Sequence, residues 1–411
     1  MTAFTCRSCG SSRGHLVLDL GVQPLANNLL RPEHLAGEEP KFPLRVAVCG
    51  DCWLLQITDI VPPVTLFNEY VYFSSVSEAL LLHARSAAER YLSEFELSAS
   101  SLVVEAASND GYLLKNFVAA RVPCLGVEPA KNIAEVALSR GVPTLNQFFN
   151  SGTAARIVSE RGQADLVLGN NVFAHAPDTN DFVSGLALLV KRRGRVVLEF
   201  PYACDLIEHL EFDTIYHEHV FYFTLTALEP LFARHGLEIF DVERLQIHGG
   251  SLRLFAGPRG AHRVRQAVSQ LRNEEVAKGI TGLGYYEMFA ERVKALRESL
   301  LRLLRELRDQ GHRLCAYGAS AKGSTLLNYY GIGRNGFDCL DFVVDRSPAK
   351  QGRLTPGTHL PILSVEELLA RRPRHALLLT WNFAEEILRQ QQAWRDLGGK
   401  FILPLPEVKI V

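Results

Sequence analysis

Residues 213–223 read DTIYHEHVFYF and set Tyr216, His217, Glu218, His219 and Tyr222 within seven positions. Two imidazoles, a carboxylate and two phenols can exchange protons near neutral pH, histidine above all. The same residues could instead fill the hydrogen bonds of a polar turn. A second cluster suits a metal. Cys6-Arg7-Ser8-Cys9 and Cys49-Gly50-Asp51-Cys52 form CxxC-x39-CxxC. Each pair offers two thiolates at a tight turn, eased by Gly10 and Gly50, and two such knuckles close a tetrahedral zinc site. With four cysteines that site keeps no open position. The expected role of Cys6, Cys9, Cys49 and Cys52 is therefore to fold a small module around structural Zn2+. Disulfides fit poorly with a cytoplasmic chain, and a redox CxxC does not come naturally in matched pairs. Cys124, Cys204, Cys315 and Cys339 lie in or beside apolar runs and are expected as small buried hydrophobes.

A third cluster is acidic. SSLVVEAASNDGYLL reads as a strand from Leu102, a turn through Ser108, Asn109, Asp110 and Gly111, and the start of a helix. The next strand, CLGVEPA, ends with Glu128, 23 residues after Glu105. An acid there can bond the two hydroxyls of a ribose, so a nucleoside-binding α/β unit is expected. The first turn lacks GxGxxG, which argues against a dinucleotide. A cationic cofactor brings no pyrophosphate to cradle and favours carboxylates.

A fourth cluster lies in HRLCAYGASAKGSTLLNYYG, again strand, turn and helix. Lys322 precedes Gly323 where a phosphate-binding P-loop has lysine after glycine, so a P-loop NTPase is not expected. Backbone N–H groups at the helix start, with Gly318, Ser320 and Lys322, still suit an anion. The alternative is that the glycines only allow tight strand-to-helix packing. Asp345 ends the following strand, and HALLLTWNF and KFILPLP give two more, half of a doubly wound sheet.

These clusters need elements to position them. A chain of 411 residues implies two or three domains. Hydrophobic content of 47% and charged content of 22% are those of a globular protein. A net charge of −1 gives no electrostatic case for nucleic acid or an anionic membrane as partner. Runs such as LLLHARSAAERYL are interrupted far short of a bilayer span, and MTAFTCRSCG lacks signal-peptide character, so a cytoplasmic location is expected. The expected divisions are 1–75, 76–258 and 259–411. Within them, DFVSGLALLVKRRG reads as a helix ending at Gly194. LEIFDVERL and SLRLFAG, joined by QIHGG, read as an antiparallel hairpin. Residues 263–310 read as a long amphipathic helical stretch ending at Gly311 and packing between domains.

Taken together, the two CxxC knuckles, ASNDG, NVFAH, DTIYHEHVFYF, HGGSLR, YGASAKGSTLLNYYGI and WNFAEEI resemble the sugar C-methyltransferase family. These enzymes use S-adenosylmethionine to methylate C3 of nucleotide-linked 4-keto-deoxysugars in antibiotic pathways. The resemblance implies an α/β fold with a zinc-binding module, a central class I methyltransferase Rossmann-like domain and a C-terminal Rossmann-like domain that helps hold the sugar nucleotide. It implies S-adenosylmethionine as cofactor, S-adenosylhomocysteine as product, and a dTDP-linked 4-keto-deoxysugar as substrate. The oligomeric state stays open, a monomer included. The implied cofactor-binding residues are Glu105, Ser108, Asn109, Asp110, Glu128 and Asn170, and the implied substrate-binding residues are Gly318, Ser320, Lys322 and Asn382. Tyr216, Glu218, His219, His175 and Tyr70 match its catalytic positions. His219 is the expected general base, with Tyr216 the alternative. Glu218 would support it or contact a sugar hydroxyl. His175 and Tyr70 would polarise the ketone or hold the sugar. His217 and Tyr222 are read as structural, because alternate residues of an extended segment face opposite ways. Members of this family usually carry Gly where this chain has Ala107, and a Cβ there restricts positive φ.

Three other readings compete. A nicotinamide-dependent oxidoreductase would use one α/β domain but lacks GxGxxG at both first turns. A zinc-dependent scaffold would not explain Tyr216, Glu218 and His219 together. An O- or N-methyltransferase would act on a hydroxyl or amine, and an O-methyltransferase often enlists a metal. No second metal cluster is visible.

Overall fold

The structure, a computed structural model, describes residues 4–67, 73–247 and 249–411. Tyr70 lies outside them. Three sheets carry the described chain. The first begins with β1 (Gly14–Pro24), β2 (Lys41–Cys49) and β3 (Leu55–Ile57), paired antiparallel. The two long strands give the zinc module more regular structure than its turn-rich sequence suggests.

The second sheet takes β4 (Val103–Ala106), β5 (Cys124–Val127), β6 (Thr144–Leu145), β7 (Ala164–Asn170) and β8 (Val190–Pro201), all parallel. The chain then leaves this sheet, and β9 (Phe221–Tyr222) pairs antiparallel with β3 as the fourth strand of the first sheet. It returns as the expected hairpin, β10 (Leu237–Leu245) and β11 (Ser251–Pro258), with β11 antiparallel to β8. The spatial order is β6-β5-β4-β7-β8-β11-β10. The helix expected to reach Gly194 stops at Leu189, and Val190–Pro201 is strand instead. Pairing of Val190 with Ala164 takes over there, and Gly194 has no room for a side chain: a Cβ would sit 2.8 Å from Ala164 O.

The third sheet holds β12 (Leu314–Tyr317), β13 (Val343–Val344), β14 (Ile362–Leu363), β15 (His375–Leu378) and β16 (Lys400–Leu403) in parallel, closed by antiparallel β17 (Lys409–Ile410). Its order, β14-β13-β12-β15-β16-β17, runs on both sides of the first strand, more than the half sheet that the sequence suggests. The long helical stretch is two helices, Gln266–Lys278 and Leu283–Asp309, broken where Gly279 takes φ +79°. The second buries Tyr286, Phe289, Val293, Leu296, Leu300 and Leu304, and Tyr286 stacks on Trp53 of the zinc module. One hydrophobic core runs without a break from the zinc module through one face of the second sheet and this helix to one face of the third. Among the described residues no helix is long and apolar enough to cross a membrane.

Candidate active site

The segment 213–223 is where the three parts meet. Its first residues lie in the turn Phe212–Thr214, packed on the C-terminal helix Ala321–Tyr330 with Phe212 stacked on Tyr330 at 5.3 Å. Near its end is β9, in the first sheet. In between, Val220 N–H donates to Ala174 O at 2.8 Å, in the turn Phe173–His175, and Ile57 N–H donates to Val220 O at 2.9 Å. Phe173 stacks on Phe223 at 4.4 Å beneath them. Main-chain bonds to two other elements thus hold the segment while its side chains are aimed.

His219 Nδ1 lies 2.9 Å from Thr214 O, and its Nε2 lies 2.8 Å from Tyr216 Oη. A carbonyl can only accept, so Nδ1 carries the proton and Nε2 turns its lone pair to the Tyr216 O–H. The two rings are 4.0 Å apart, and the His175 ring stands edge-on to His219 at 4.8 Å. Burial holds His175 down at about 4, against a hydrogen bond to the Glu218 backbone, so this imidazole is neutral at pH 7. Glu218 is 6% exposed, and burial pushes its carboxyl up to about 7. Asn27 Nδ2 donates to Glu218 Oε1 at 2.7 Å and pulls the other way. His219, Tyr216, Glu218 and His175 are therefore brought together. His217 and Tyr222 make structural contacts: His217 Nε2 faces Pro43 O at 3.3 Å, and Tyr222 O–H donates to His219 O at 2.9 Å.

At the end of β4 the chain turns through positive φ at Ala107 (+53°), Asn109 (+49°) and Gly111 (+76°). Glu105, Ser108 and Asp110 are fully buried. Among the described residues, both Glu105 carboxylate oxygens, Ser108 Oγ and Asp110 Oδ1 have no hydrogen-bond partner. Burial pushes Glu105 well above the usual carboxylate range, with help from the charges of Glu128, Glu199 and Asp110. Glu128, also pushed up by burial, ends β5 and accepts from Asn109 N–H (3.0 Å) and Ala130 N–H (2.9 Å). Asn109 Oδ1 accepts from Ser74 N–H at 2.9 Å. Asp110 Oδ2 accepts from Arg140 at 2.7 Å. Asn170 is half-buried at the end of β7, the strand beside β4. A buried carboxylate without a partner calls for a cation. S-adenosylmethionine carries two, a sulfonium and an ammonium, and its ribose suits an acid at the end of β5. The residues fit the cofactor.

The Sγ atoms of Cys6, Cys9, Cys49 and Cys52 lie within 4.8 Å of one another, with Cys6–Cys52 at 3.5 Å and Cys9–Cys49 at 3.6 Å. A zinc–sulfur bond of about 2.3 Å in tetrahedral geometry gives sulfur–sulfur edges of about 3.8 Å, so the cage has the right size. The Cys52 hydrogen bond holds the Cys6 thiol down to about 4 and pushes Cys52 up, two sulfurs sharing a proton that a divalent cation would displace. Gln56 Nε2 donates to Cys6 Sγ, and Asn180 and Arg234 of the second domain bond the Ser8 carbonyl, docking the knuckle. The other four cysteines are buried, as expected.

In the C-terminal turn, Gly318 takes φ +93°, and a Cβ there would meet Thr380 at 2.5 Å. Ser320 caps its helix: Oγ accepts from Gly323 N–H (3.0 Å) and donates to Leu379 O (3.3 Å). Lys322 Nζ lies over the Trp381 ring at 4.4 Å. Its charge pulls down Asp213 and Glu211, which burial pushes up to about 6 and about 8. Trp381 Nε1–H donates to Asp213 Oδ2 at 2.7 Å, and Asn382 is next in the same turn. Three partners in the site went unnamed in the sequence reading: Asn27, the Thr214 carbonyl and the Trp381–Asp213 bond. The last lies inside quoted motifs; Asn27 carries no local signal.

Fold, acidic turn and thiolate cage together define an S-adenosylmethionine-dependent methyltransferase with a structural zinc module. Residues 6–67 match the family described as "Putative zinc binding domain", residues 80–242 "Methyltransferase domain", and residues 246–406 "C-methyltransferase C-terminal domain". The chain is 38% identical to C-methyltransferase NovU of Streptomyces niveus over 99% of its own length and 96% of the relative's. It belongs to the C-methyltransferase family. Among solved structures, magnesium protoporphyrin IX methyltransferase from Synechocystis with bound S-adenosylhomocysteine aligns at 16% identity and TM-score 0.35, covering 43% of this chain and 82% of that one. An S-adenosylmethionine-dependent methyltransferase from Clostridium acetobutylicum aligns at 12% identity and TM-score 0.35, covering 43% and 91%.

Proposed function

We propose that this enzyme methylates C3 of a dTDP-linked 4-keto-2,6-dideoxy sugar by removing the C3 proton and passing through an enolate, as a step of deoxysugar formation for an antibiotic. The observation that carries the reading is the Tyr216–His219 pair, whose basic Nε2 is turned to the phenol. C3 of such a sugar is acidified by the adjacent ketone, so a base near neutral pKa can take its proton. His219 Nε2 accepts that proton, directly or through the Tyr216 hydroxyl, and the Thr214 carbonyl keeps the ring in the tautomer that can do so. The C3–H electron pair moves into the ring and the charge goes to O4. The Tyr216 hydroxyl is suited to donate to that oxygen, with the neutral His175 ring standing edge-on to His219 beside it. When bound, S-adenosylmethionine supplies the methyl as an electrophilic carbon on sulfur. Glu105, Ser108, Asp110 and Glu128 hold the cofactor, with Asn109 and Asn170 at the rim of the site.

The sugar nucleotide would lie between the second and third domains, divided here at 75/76 and 258/259, with Lys322 and Asn382 facing it from the turns after β12 and β15. Gly318 and Ser320 shape the first of these turns. Tyr70 belongs to the same proposed catalytic set. The zinc thiolates favour a reducing compartment, which supports a cytoplasmic location.

The test is to incubate the enzyme with S-adenosylmethionine and the dTDP-linked 4-keto sugar in heavy water. One added methyl, with deuterium entering C3 of unreacted sugar, is the expected result. A methylated product that retains its C3 hydrogen would replace this reading with O-methylation. His219→Asn should abolish both signals and leave cofactor binding intact.

A further inference from the structure

We propose that Asn27, carried by the zinc module, is a positioning residue for Glu218: its side-chain amide holds the Glu218 carboxylate in place within the catalytic segment. The inference rests on the proposed role of that segment and gives the N-terminal module a part in the chemistry beyond folding. The contact spans 191 residues of sequence and measures 2.7 Å from Asn27 Nδ2 to Glu218 Oε1. Glu218 is buried while Asn27 is exposed, so the amide sits over the carboxylate from the solvent side.

Asn27 is itself held. It follows β1, in a turn where Asn28 N–H donates to Leu25 O and Leu29 N–H to Asn27 O. Three residues on, Leu30 and Leu354 of the C-terminal domain exchange main-chain bonds at 3.0 and 2.8 Å. Further along the same arm, Glu39 accepts from Gly357 N–H and contacts His359. The arm bearing Asn27 is thus clasped to the C-terminal domain, and Asn27 reaches from it to the third party, the catalytic segment.

An amide N–H can only donate to this oxygen, and it donates best to the ionised carboxylate. Among the described residues, the titratable groups beside Glu218 are His175 from the turn Phe173–His175 and Tyr216, His217 and His219 of its own segment. Burial holds His175 at about 4 and His217 below its ordinary value, so both stay neutral near pH 7. The Asn27 bond and burial then oppose each other in setting Glu218. The proposed role of the segment calls for Glu218 as the carboxylate, the form that the Asn27 amide holds.

The experiment uses the full chain with Asn27→Ala and Asn27→Asp. Glu218 is followed by infrared titration, as the protonated-carboxyl band that disappears in Glu218→Gln. Loss of one charge-assisted hydrogen bond should raise the Glu218 midpoint by about one pH unit in Asn27→Ala. Asn27→Asp, which adds a like charge at the same place, should raise it further. In wild-type assays the acidic limb of kcat/KM should follow Glu218, and in both variants it should move to higher pH by the same amount, with activity recovering in base. Cofactor affinity should not change. Unshifted midpoints, or an activity loss equal at every pH, would overturn the proposal. Shifted midpoints in an enzyme that fails to methylate the 4-keto sugar would leave the proposal standing and retire the substrate assignment instead.

Discussion

The turn after β4 and the turn after β12 occupy the same place in their sheets, each at the carboxyl end of the first strand and beside an acid that ends the second. The acids even serve alike. Glu128 accepts from Asn109 N–H and Ala130 N–H, and Asp345 accepts from Ala319 N–H and Ser347 N–H at 2.8 Å each. What surrounds them differs. Around Glu128 the chain buries Glu105, Ser108 and Asp110 with oxygens that no described residue satisfies. Around Asp345, Lys350 Nζ reaches both the carboxylate and Ala319 O, Ser320 is spent as a helix cap, and Thr380 fills the space over Gly318. Lys322 Nζ lies over the Trp381 ring, and its charge acts on Glu211 and Asp213 of the neighbouring domain, yet among the described residues it has no hydrogen-bond partner. Negative charge left uncompensated marks a place built for a cationic ligand; at the turn after β12 the acid is compensated from within, and what is left without a hydrogen bond is an ammonium, which suits an anionic ligand instead.

Exchanging the acids should give opposite phenotypes. Glu105→Gln should weaken S-adenosylmethionine binding by about a hundredfold, the cost of taking one partner from a buried charge pair. It should also raise the melting temperature of the cofactor-free protein, because an unpaired buried carboxylate is gone. Asp345→Asn should do the reverse, losing about 1–3 kcal/mol of stability with its hydrogen bonds and leaving cofactor affinity within about twofold. Calorimetric titration and thermal melts of both variants measure this. If Asp345→Asn also lost cofactor binding, the distinction between the turns would collapse.

A smaller effect sharpens the same contrast. The folded-state pKa of Glu105 is raised, so the folded chain binds a proton that the unfolded chain has released. Its penalty is absent below the unfolded value of about 4.3 and grows by about 1.4 kcal/mol per pH unit above it, until pH passes the folded value. The stability advantage of cofactor-free Glu105→Gln over wild type should therefore shrink as pH falls from 7 toward 4.5, in denaturant titrations run at each pH. A pH-independent difference would mean that Glu105 is already ionised and partnered in the folded state.

How far the sequence anticipates this depends on the range of each contact. The CxxC pairs, the acids at strand ends and the hairpin are local patterns, and they appear where spacing puts them. DFVSGLALLVKRRG misleads because helix period and strand character meet at Val190, and only pairing with Ala164 decides the boundary. The breadth of the third sheet was hidden by strands of two residues, Val343–Val344 and Ile362–Leu363, too short to show any period. In the catalytic segment the residue types are legible, but the partners are not. Asn27, the Pro43 carbonyl and Trp381 arrive from 191, 174 and 168 residues away, and no local pattern encodes such pairings. Thr214 is local, yet what matters there is a main-chain carbonyl that any residue could supply.

The smallest expected effect belongs to Ala107, which adopts φ +53° in the cofactor turn. A Cβ in this left-handed region costs about 1 kcal/mol, which Ala107→Gly would relieve in the folded state. Glycine also widens the unfolded ensemble, at about 0.4–1 kcal/mol, so the two terms nearly cancel. The variant should melt within about two degrees of wild type and bind S-adenosylmethionine within about twofold. The turn's affinity resides in oxygens on Glu105, Ser108 and Asp110, none of which this change moves. A large gain in affinity would show that the Ala107 Cβ crowds the cofactor. The openness of the first turn, on which the contrast with the turn after β12 depends, would then be only partial in this chain.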